Sequence, residues 1–256
     1  MASQLFDLTG QVALITGSSR GIGKAIAEEM SAAGAKVVIS SRKQDACDAV
    51  RDRINASGGE AISVTCNIGN KQEVESLVNA TMQRFGRIDI LVCNAAVNPY
   101  YGSLAKLGDD AWDKIMTSNV KSSWWLSNLV APHMIERGSG NIILISSIGA
   151  FRSTLVLGAY GISKAAESQL ARNLAAELGP SGIRVNAIAP GLVKTDFAKA
   201  LWSNPQLLNA VEARAPLRRI GQPKDIAGVA VFLASKAAAF ITGQLIVADG
   251  GSTLGD

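Results

Sequence analysis

The sequence predicts an α/β fold: one doubly wound parallel sheet of about seven strands, with helices on both faces. Strand-like and helix-like segments alternate along the whole chain, without repeats, low-complexity tracts or charged linkers. Most strand-like segments are runs of Val, Ile and Leu without strict polar alternation, as expected where both faces of a sheet are buried. A third observation bounds the domain count. At 256 residues, with 48% hydrophobic and 18% charged content, the chain suffices for one large domain with a well-buried core. Residues 1–256 are therefore read as a single domain.

The same composition removes several function classes. No apolar run approaches the ~20 residues of a membrane span, and Met1–Gly10 lacks a signal-peptide pattern; a cytoplasmic protein without membrane contact is expected. Cys47, Cys66 and Cys93 are odd in number and far apart, with no C-x-x-C, and are expected to be reduced and buried. His133 is the one histidine, so Ser-His-Asp hydrolysis or a His/Cys zinc site has little to draw on, and no metal site is expected. The net charge of +4 is scattered, which argues against nucleic acid and suits a small phosphate-bearing molecule.

The first strand, Val12–Thr16, runs into Thr16-Gly17-Ser18-Ser19-Arg20-Gly21-Ile22-Gly23, which opens a helix over Gly21–Ala33. Glycines there let the backbone turn tightly and let a pyrophosphate approach main-chain N–H groups at a helix N-terminus. The spacing G-x-x-x-G-x-G differs from G-x-G-x-x-G. It is not a P-loop either, since Gly17 and Gly23 enclose five residues and Ala25 follows Lys24. Its place between the first strand and helix favours a nucleotide over a ligand-free connector.

The second strand, Lys36–Ser41, ends in Ser41-Arg42-Lys43 before a helix over Lys43–Ser57. An NAD site wants an acid here for the ribose 2′-hydroxyl, and an NADP site wants a cation. Ser41 and Arg42 supply a hydroxyl and a guanidinium without a carboxylate, and Arg20 could reach the same phosphate, so NADP(H) is the expected cofactor. A third strand (Ala61–Cys66), a helix (Lys71–Phe85) and a fourth strand (Ile88–Cys93) follow. The fourth ends in Cys93-Asn94-Ala95-Ala96, small residues that admit a ligand at the carboxyl edge near the switch in strand order.

One long helix is predicted over Asp110–Arg137. Asn119 inside it disfavours helix, and is either a surface residue or a local irregularity that frees a carbonyl for water. Trp112, Ile115, Met116, Val120 and Leu126 make one apolar group on it, and Trp124, Trp125 and Leu129 another. Apolar residues on two sides predict burial by the sheet and by a second copy of the chain.

The fifth strand, Asn141–Ser147, ends in two serines. The helix over Tyr160–Leu178 opens with Tyr160-Gly161-Ile162-Ser163-Lys164. Tyrosine and lysine four apart share one helix face. A free phenol has a pKa near ~10, and an adjacent ammonium lowers it, so the pair is expected to trade a proton near neutral pH. The sixth strand, Ile183–Ile188, leads to Pro190-Gly191. Asp196–Pro216, with Phe197, Leu201, Trp202 and Pro205 between polar residues, reads as a short helical lid within about 192–216. A helix over Pro223–Leu233 and a strand over Leu245–Ala248 complete the pattern.

Taken together, T-G-x-x-x-G-x-G (Thr16–Gly23), C-N-A-A (Cys93–Ala96), Asn119, Ser147, Tyr160-x-x-x-Lys164 and Pro190-Gly191 resemble the short-chain dehydrogenase/reductase family over essentially the whole chain. Ser40–Lys43 and Asn94–Pro99 resemble its NADP(H)-dependent carbonyl reductase and retinol dehydrogenase/reductase branch. The resemblance implies a Rossmann-type fold, a homotetramer, and hydride transfer between a nicotinamide and a carbonyl carbon. It implies Tyr160 as acid/base, Lys164 holding the phenol at low pKa and bonding the nicotinamide ribose, Ser147 polarising the substrate oxygen, and Asn119 anchoring a water that joins Lys164 to solvent. Cofactor contacts fall on Gly17, Ser19, Arg20, Gly21, Ile22, Gly23, Ser41, Arg42, Asn67, Asn94, Ala95, Tyr160, Lys164, Pro190, Gly191, Val193 and Thr195. Ala96 stands where the family commonly has glycine, Cys93 replaces a common asparagine, and Asn67 replaces an aspartate at the adenine. None of the three is a catalytic position.

The lid's Phe197 and Trp202, with Tyr100, Tyr101, Phe151 and Leu157, are expected to line an apolar pocket for a small hydrophobic ketone or aldehyde and its alcohol. Arg152, Lys199, Arg214, Arg218 and Arg219 raise an alternative, a 3-oxoacyl thioester (carrier-protein or coenzyme A) reductase. A non-catalytic NADP(H) sensor or scaffold is a further alternative on this fold, but such proteins typically lose the tyrosine or the lysine. Ser103-Leu104-Ala105-Lys106 matches S-x-x-K without the companion motifs of a hydrolase.

Overall fold

Apolar on both faces, the strands have nowhere to go but the middle layer. The computed structural model describes residues 4–254. In it β1 (Val12–Thr16), β2 (Lys36–Ser40), β3 (Ala61–Ser63), β4 (Ile90–Cys93), β5 (Gly140–Ile145), β6 (Ile183–Pro190) and β7 (Leu245–Ala248) form one sheet. The order is β3-β2-β1-β4-β5-β6-β7 and every neighbouring pair is parallel. Successive strand residues point to opposite faces. Ala13, Ile15, Val37, Ile39, Val92 and Ile145 enter one core, with α1 (Gly21–Ala32), α2 (Gln44–Ala56) and α9 (Pro223–Ala234). Leu14, Val38, Leu91, Ile142, Leu144 and Val185 enter the other, with α3 (Lys71–Phe85), α5 (Ser122–Arg137) and α6 (Gly158–Leu178). The expected doubly wound sheet is thus present, and its winding reverses between β1 and β4.

Several bounds differ from expectation for physical reasons. β3 is an edge strand, and its ladder with β2 stops at Ser63 instead of Cys66. The predicted helix over Asp110–Arg137 is three pieces: α4 (Asp109–Ile115), a π-helical turn (Met116–Lys121), and α5. Asn119 lies fully buried in that turn, so the irregularity expected there is real and the surface alternative is not. The lid stretch holds α7 (Lys199–Trp202) and α8 (Pro205–Arg214), neither with a buried residue. Trp125 and Leu129 pack against the second core, leaving Trp124 exposed at 48%.

All three cysteines are buried free thiols, and burial pushes Cys66 and Cys93 up to about 12. No helix among the described residues is long and apolar enough to cross a membrane. The N-terminal pattern considered above falls partly on residues 1–3, outside the described residues.

Candidate active site

The carboxyl ends of β1, β2, β4, β5 and β6 meet at one edge of the sheet, and the glycine loop begins there. Gly17 and Gly21 have φ of +65° and +57°, the left-handed region that glycine alone enters freely. A side chain at Gly17 would come within 2.9 Å of the Ala95 Cα and the Asn94 amide, and one at Gly23 would overlap that same amide. The loop is stapled from both sides. The Asn94 amide donates to the Thr16 and Gly17 carbonyls (2.8 and 3.1 Å), and Thr16 Oγ1 accepts from the Asn94 and Ala95 N–H groups (3.1 and 3.2 Å). Ser18 Oγ donates to Ile15 O at 2.7 Å and accepts from Ser40 N–H at 2.8 Å. Asn94 therefore acts on the loop itself. Thr16 and Ser18, absent from the expected contact set, fix its shape.

The residues present fit a dinucleotide. The first N–H groups of a helix have no partner inside it. At α1 the N-cap Arg20 makes no side-chain cap and the first turn carries no acid, which leaves donors and a positive dipole end for a phosphate. Beyond β2, the Ser41 hydroxyl lies 3.1 Å from Cys47 Sγ, while Arg42 is exposed and has no ion-pair partner among the described residues. Arg20 does not turn to that place: its guanidinium reaches Asp196 at 3.5 Å, an exposed pair of small worth. Asn67 Oδ1 accepts from Gly69 N–H at 3.2 Å. On the far side, Pro190 ends β6 and a Cβ at Gly191 would meet Asp249 within 2.9 Å. Val193 is buried, bridged to Gly221. Thr195 closes on the loop, its methyl 3.2 Å from where a Gly21 side chain would begin. Between the start of α1, the 194–196 segment and the start of α9 lies a cleft of about 490 Å³ lined by Gly21, Lys24, Thr195, Asp196, Pro223 and Lys224.

Past β5 the chain turns at Ser147, whose Oγ accepts from Gly149 N–H at 3.0 Å. α6 crosses this turn at Gly161, where a Cβ would stand 2.8 Å from the Gly149 carbonyl. That approach brings Tyr160 to Ser147. Lys164, 1% exposed, places Nζ 5.6 Å from the Tyr160 ring centre and donates to Ile145 O at 2.8 Å and Glu167 Oε2 at 2.5 Å. Asn119 Oδ1 accepts from Val97 N–H at 2.8 Å, and its Nδ2 donates to Val97 O (3.1 Å) and Ser163 Oγ (3.0 Å). The Ser123 hydroxyl lies 3.1 Å from both the Asn119 carbonyl and Glu167 Oε1. Asn119, Ser147, Tyr160 and Lys164 are thus gathered on the π-helical turn, the turn after β5 and α6.

Glu167 was not expected, and it changes the electrostatics. Burial pushes the Tyr160 phenol above its ordinary value, Lys164 pulls it down, Glu167 pushes it up again, and a hydrogen bond with Ser147 pulls it down. The net direction is upward, which corrects the expectation of a lowered phenol. Part of the ring stays open, so solvent tempers the push. Burial works against the Lys164 ammonium, yet Glu167, Tyr160 and Cys93 hold its pKa above the ordinary value.

The six pocket residues are only partly assembled. Phe197 packs on Tyr160 with ring centres 5.9 Å apart. Trp202 Nε1 donates to Thr195 O at 2.7 Å within the lid. Leu157 bridges Gly102, Tyr100 donates its hydroxyl proton to Ser103 O, and Tyr101 and Phe151 are exposed.

Sheet order, glycine loop and switch point define a doubly wound α/β protein of Rossmann type. Comparison with known proteins agrees and goes further. A family model described as enoyl-(acyl carrier protein) reductase matches residues 17–253. Dehydrogenase/reductase SDR family member 4 of Bos taurus is 42% identical over 245 residues, 96% of this chain and 88% of that protein. A 7α-hydroxysteroid dehydrogenase solved with NADH and 7-oxo glycochenodeoxycholic acid superposes with a TM-score of 0.94 at 39% identity, covering 98% of this chain and 97% of that one. A gluconate 5-dehydrogenase from Burkholderia cenocepacia J2315, solved with NADP and tartrate, gives 0.96 at 33% identity and covers 100% of both chains. The chain belongs to the short-chain dehydrogenase/reductase family and is an oxidoreductase of that family.

Proposed function

We propose that the protein is an NADP(H)-dependent oxidoreductase that interconverts a hydrophobic ketone or aldehyde and its alcohol, with Tyr160 as acid/base. The observation that carries this is Tyr160 held between Ser147 and Lys164 at the carboxyl edge of the sheet, the edge at which the glycine loop also begins. When bound, NADPH supplies the hydride. Ser147 orients the substrate oxygen, and Tyr160 gives that oxygen its phenolic proton as the carbonyl carbon gains the hydride. The phenolate then regains a proton from solvent, by the Lys164 side of the site. Gly17, Ser19, Arg20, Gly21, Ile22 and Gly23 would hold the pyrophosphate. Ser41 and Arg42 would hold the ribose phosphate, Asn67 the adenine, and Pro190, Gly191, Val193 and Thr195 the nicotinamide end.

The thioester alternative is weakened by how three of its five cations are engaged. Arg152 donates to Ser252 O at 3.0 Å, Arg218 to Ala213 O, and Arg219 pairs with Asp225 at 2.5 Å. The exposed Trp124 is consistent with an association of copies, and a homotetramer is proposed from family resemblance. The test is an NADPH-oxidation screen over hydrophobic ketones, aldehydes, quinones and oxoacyl thioesters. Turnover of ketones or aldehydes above thioesters is expected, and turnover confined to thioesters would overturn the substrate class.

A further inference from the structure

α6 presents a stripe of polar residues to the interior: Ser163, Lys164, Glu167 and Ser168 are all buried, on the face that continues as Ala171, Leu174, Ala175 and Leu178 in the core. A carboxylate is almost never fully buried unless paired, and Glu167 is 1% exposed. Its Oε2 takes the Lys164 ammonium at 2.5 Å, and its Oε1 lies 3.1 Å from Ser123 Oγ, which in turn lies 3.1 Å from the Asn119 carbonyl. Protein atoms thus join the lysine to the π-helical turn. Groups facing Glu167 come from four elements: Lys164 and Tyr160 on its own helix, the neutral Cys93 thiol on β4, the Ser123 hydroxyl on α5, and beside Lys164 the Ile145 carbonyl on β5.

A lysine with a free charge draws the proton off a neighbouring phenol. Here that charge is already answered. Burial pushes the Glu167 carboxyl above its ordinary value, while the Lys164 ammonium and the Ser123 hydroxyl favour its charged form. With that carboxylate ionised, ionising Tyr160 takes the buried trio of Tyr160, Lys164 and Glu167 from neutral to net negative in a desolvated site, whereas without Glu167 the same step runs from net positive to neutral. We propose that Glu167 is a positioning residue of the acid–base pair: its buried carboxylate takes up the Lys164 ammonium, so that Tyr160 serves as a proton donor and the site is poised for carbonyl reduction. Alcohol oxidation, which needs the phenolate, has its rate limb at more alkaline pH. The inference deepens the function proposed above and rests on it for the direction of turnover, but not for the ionisation of Tyr160.

Two measurements separate the two claims. Phenolate absorbance of the ligand-free protein is titrated and the titration of Tyr160→Phe subtracted; the chain has three tyrosines, so the difference isolates Tyr160. The unsubstituted protein is expected to ionise above the ordinary ~10 of a phenol, and Glu167→Gln about one pH unit or more lower. Glu167→Asp, which keeps the charge but withdraws it by one methylene, is expected between them and serves if the glutamine variant fails to fold. The pH–rate profile for alcohol oxidation should move with the titration, with KM for the alcohol little changed. Tyr160 ionising at or below the ordinary value in the unsubstituted protein, or at one pH in all variants, would overturn the role of Glu167 even if turnover is found. A shifted titration in a protein that turns over no carbonyl would instead remove the functional reading and leave the electrostatic one.

Discussion

Two side chains divide the chemistry from the binding. Tyr160 offers the one phenol beside Ser147 and Lys164, so Tyr160→Phe removes the proton and leaves the ring packed on Phe197. The variant is expected to bind NADPH with affinity near that of the unsubstituted protein and to lose nearly all turnover. Fluorescence titration and NADPH oxidation check the two halves, and retained turnover would place the proton donor elsewhere. Arg42 is the complementary case, exposed and without an ion-pair partner among the described residues. A hydrogen bond to a charged group contributes about 1.5–3 kcal/mol, so Arg42→Ala should weaken NADPH on the order of tenfold or more and leave NADH almost unchanged. Equal losses for both cofactors would remove the phosphate assignment. Tyr160 was legible in the sequence because a tyrosine–lysine pair at helical spacing keeps recognisable company. Glu167 was not, because a glutamate three residues after a lysine looks like an ordinary solvated helix pair. The available signal was periodic: Ser163, Lys164, Glu167 and Ser168 occupy the stripe that Ala171 and Leu174 continue into the core.

At the scale of elements, α6 matters through how closely it crosses the turn after β5. Gly161 permits that crossing, since a Cβ there would stand 2.8 Å from the Gly149 carbonyl, a backbone atom that cannot rotate away. Gly161→Ala gains helix propensity of roughly 1 kcal/mol and loses about 1–3 kcal/mol to overpacking, so its melting temperature is expected to change little or fall. The site should suffer more. A displacement of about 1 Å between reacting groups can cost on the order of a hundredfold, and the displaced pair is Tyr160 and Ser147. Steady-state kinetics should show a kcat loss far larger than any change in NADPH affinity; full activity would mean that the approach of helix to turn does not set the geometry. Alternating apolar segments placed β1, β7 and α3 at the bounds the structure has. They failed at α4 and α5, where the π-helical turn interrupts the predicted helix, and at β3, an edge strand whose ladder with β2 stops at Ser63.

For the molecule as a whole, the candidate site is assembled from segments far apart in sequence. The glycine loop follows β1, Ser41 and Arg42 follow β2, Asn94 follows β4, Ser147 follows β5, and Thr195 follows β6. What was legible in the sequence was each segment's chemistry. How far the apolar residues Tyr101 and Phe151 stand from a closed pocket was not, because lid placement depends on long-range packing that periodicity does not encode. A site built this way does not exist in the unfolded chain, so a dinucleotide binds only the folded state and stabilises it by mass action. At a hundred times its dissociation constant a ligand contributes about 2.7 kcal/mol. For a chain of this size each kcal/mol moves Tm by about 2–4 °C, so saturating NADPH is expected to raise Tm by roughly 5–10 °C. NADH at the same concentration lacks the 2′-phosphate that Arg42 would meet. Its shift should be smaller by the equivalent of about tenfold in affinity, or about 1.4 kcal/mol, a gap of roughly 3–6 °C in Tm. Arg42→Ala should close that gap by lowering the NADPH shift toward the NADH one. Matched shifts in the unsubstituted protein would mean that the edge of the sheet beyond β2 does not distinguish the two cofactors, whatever the activity screen finds.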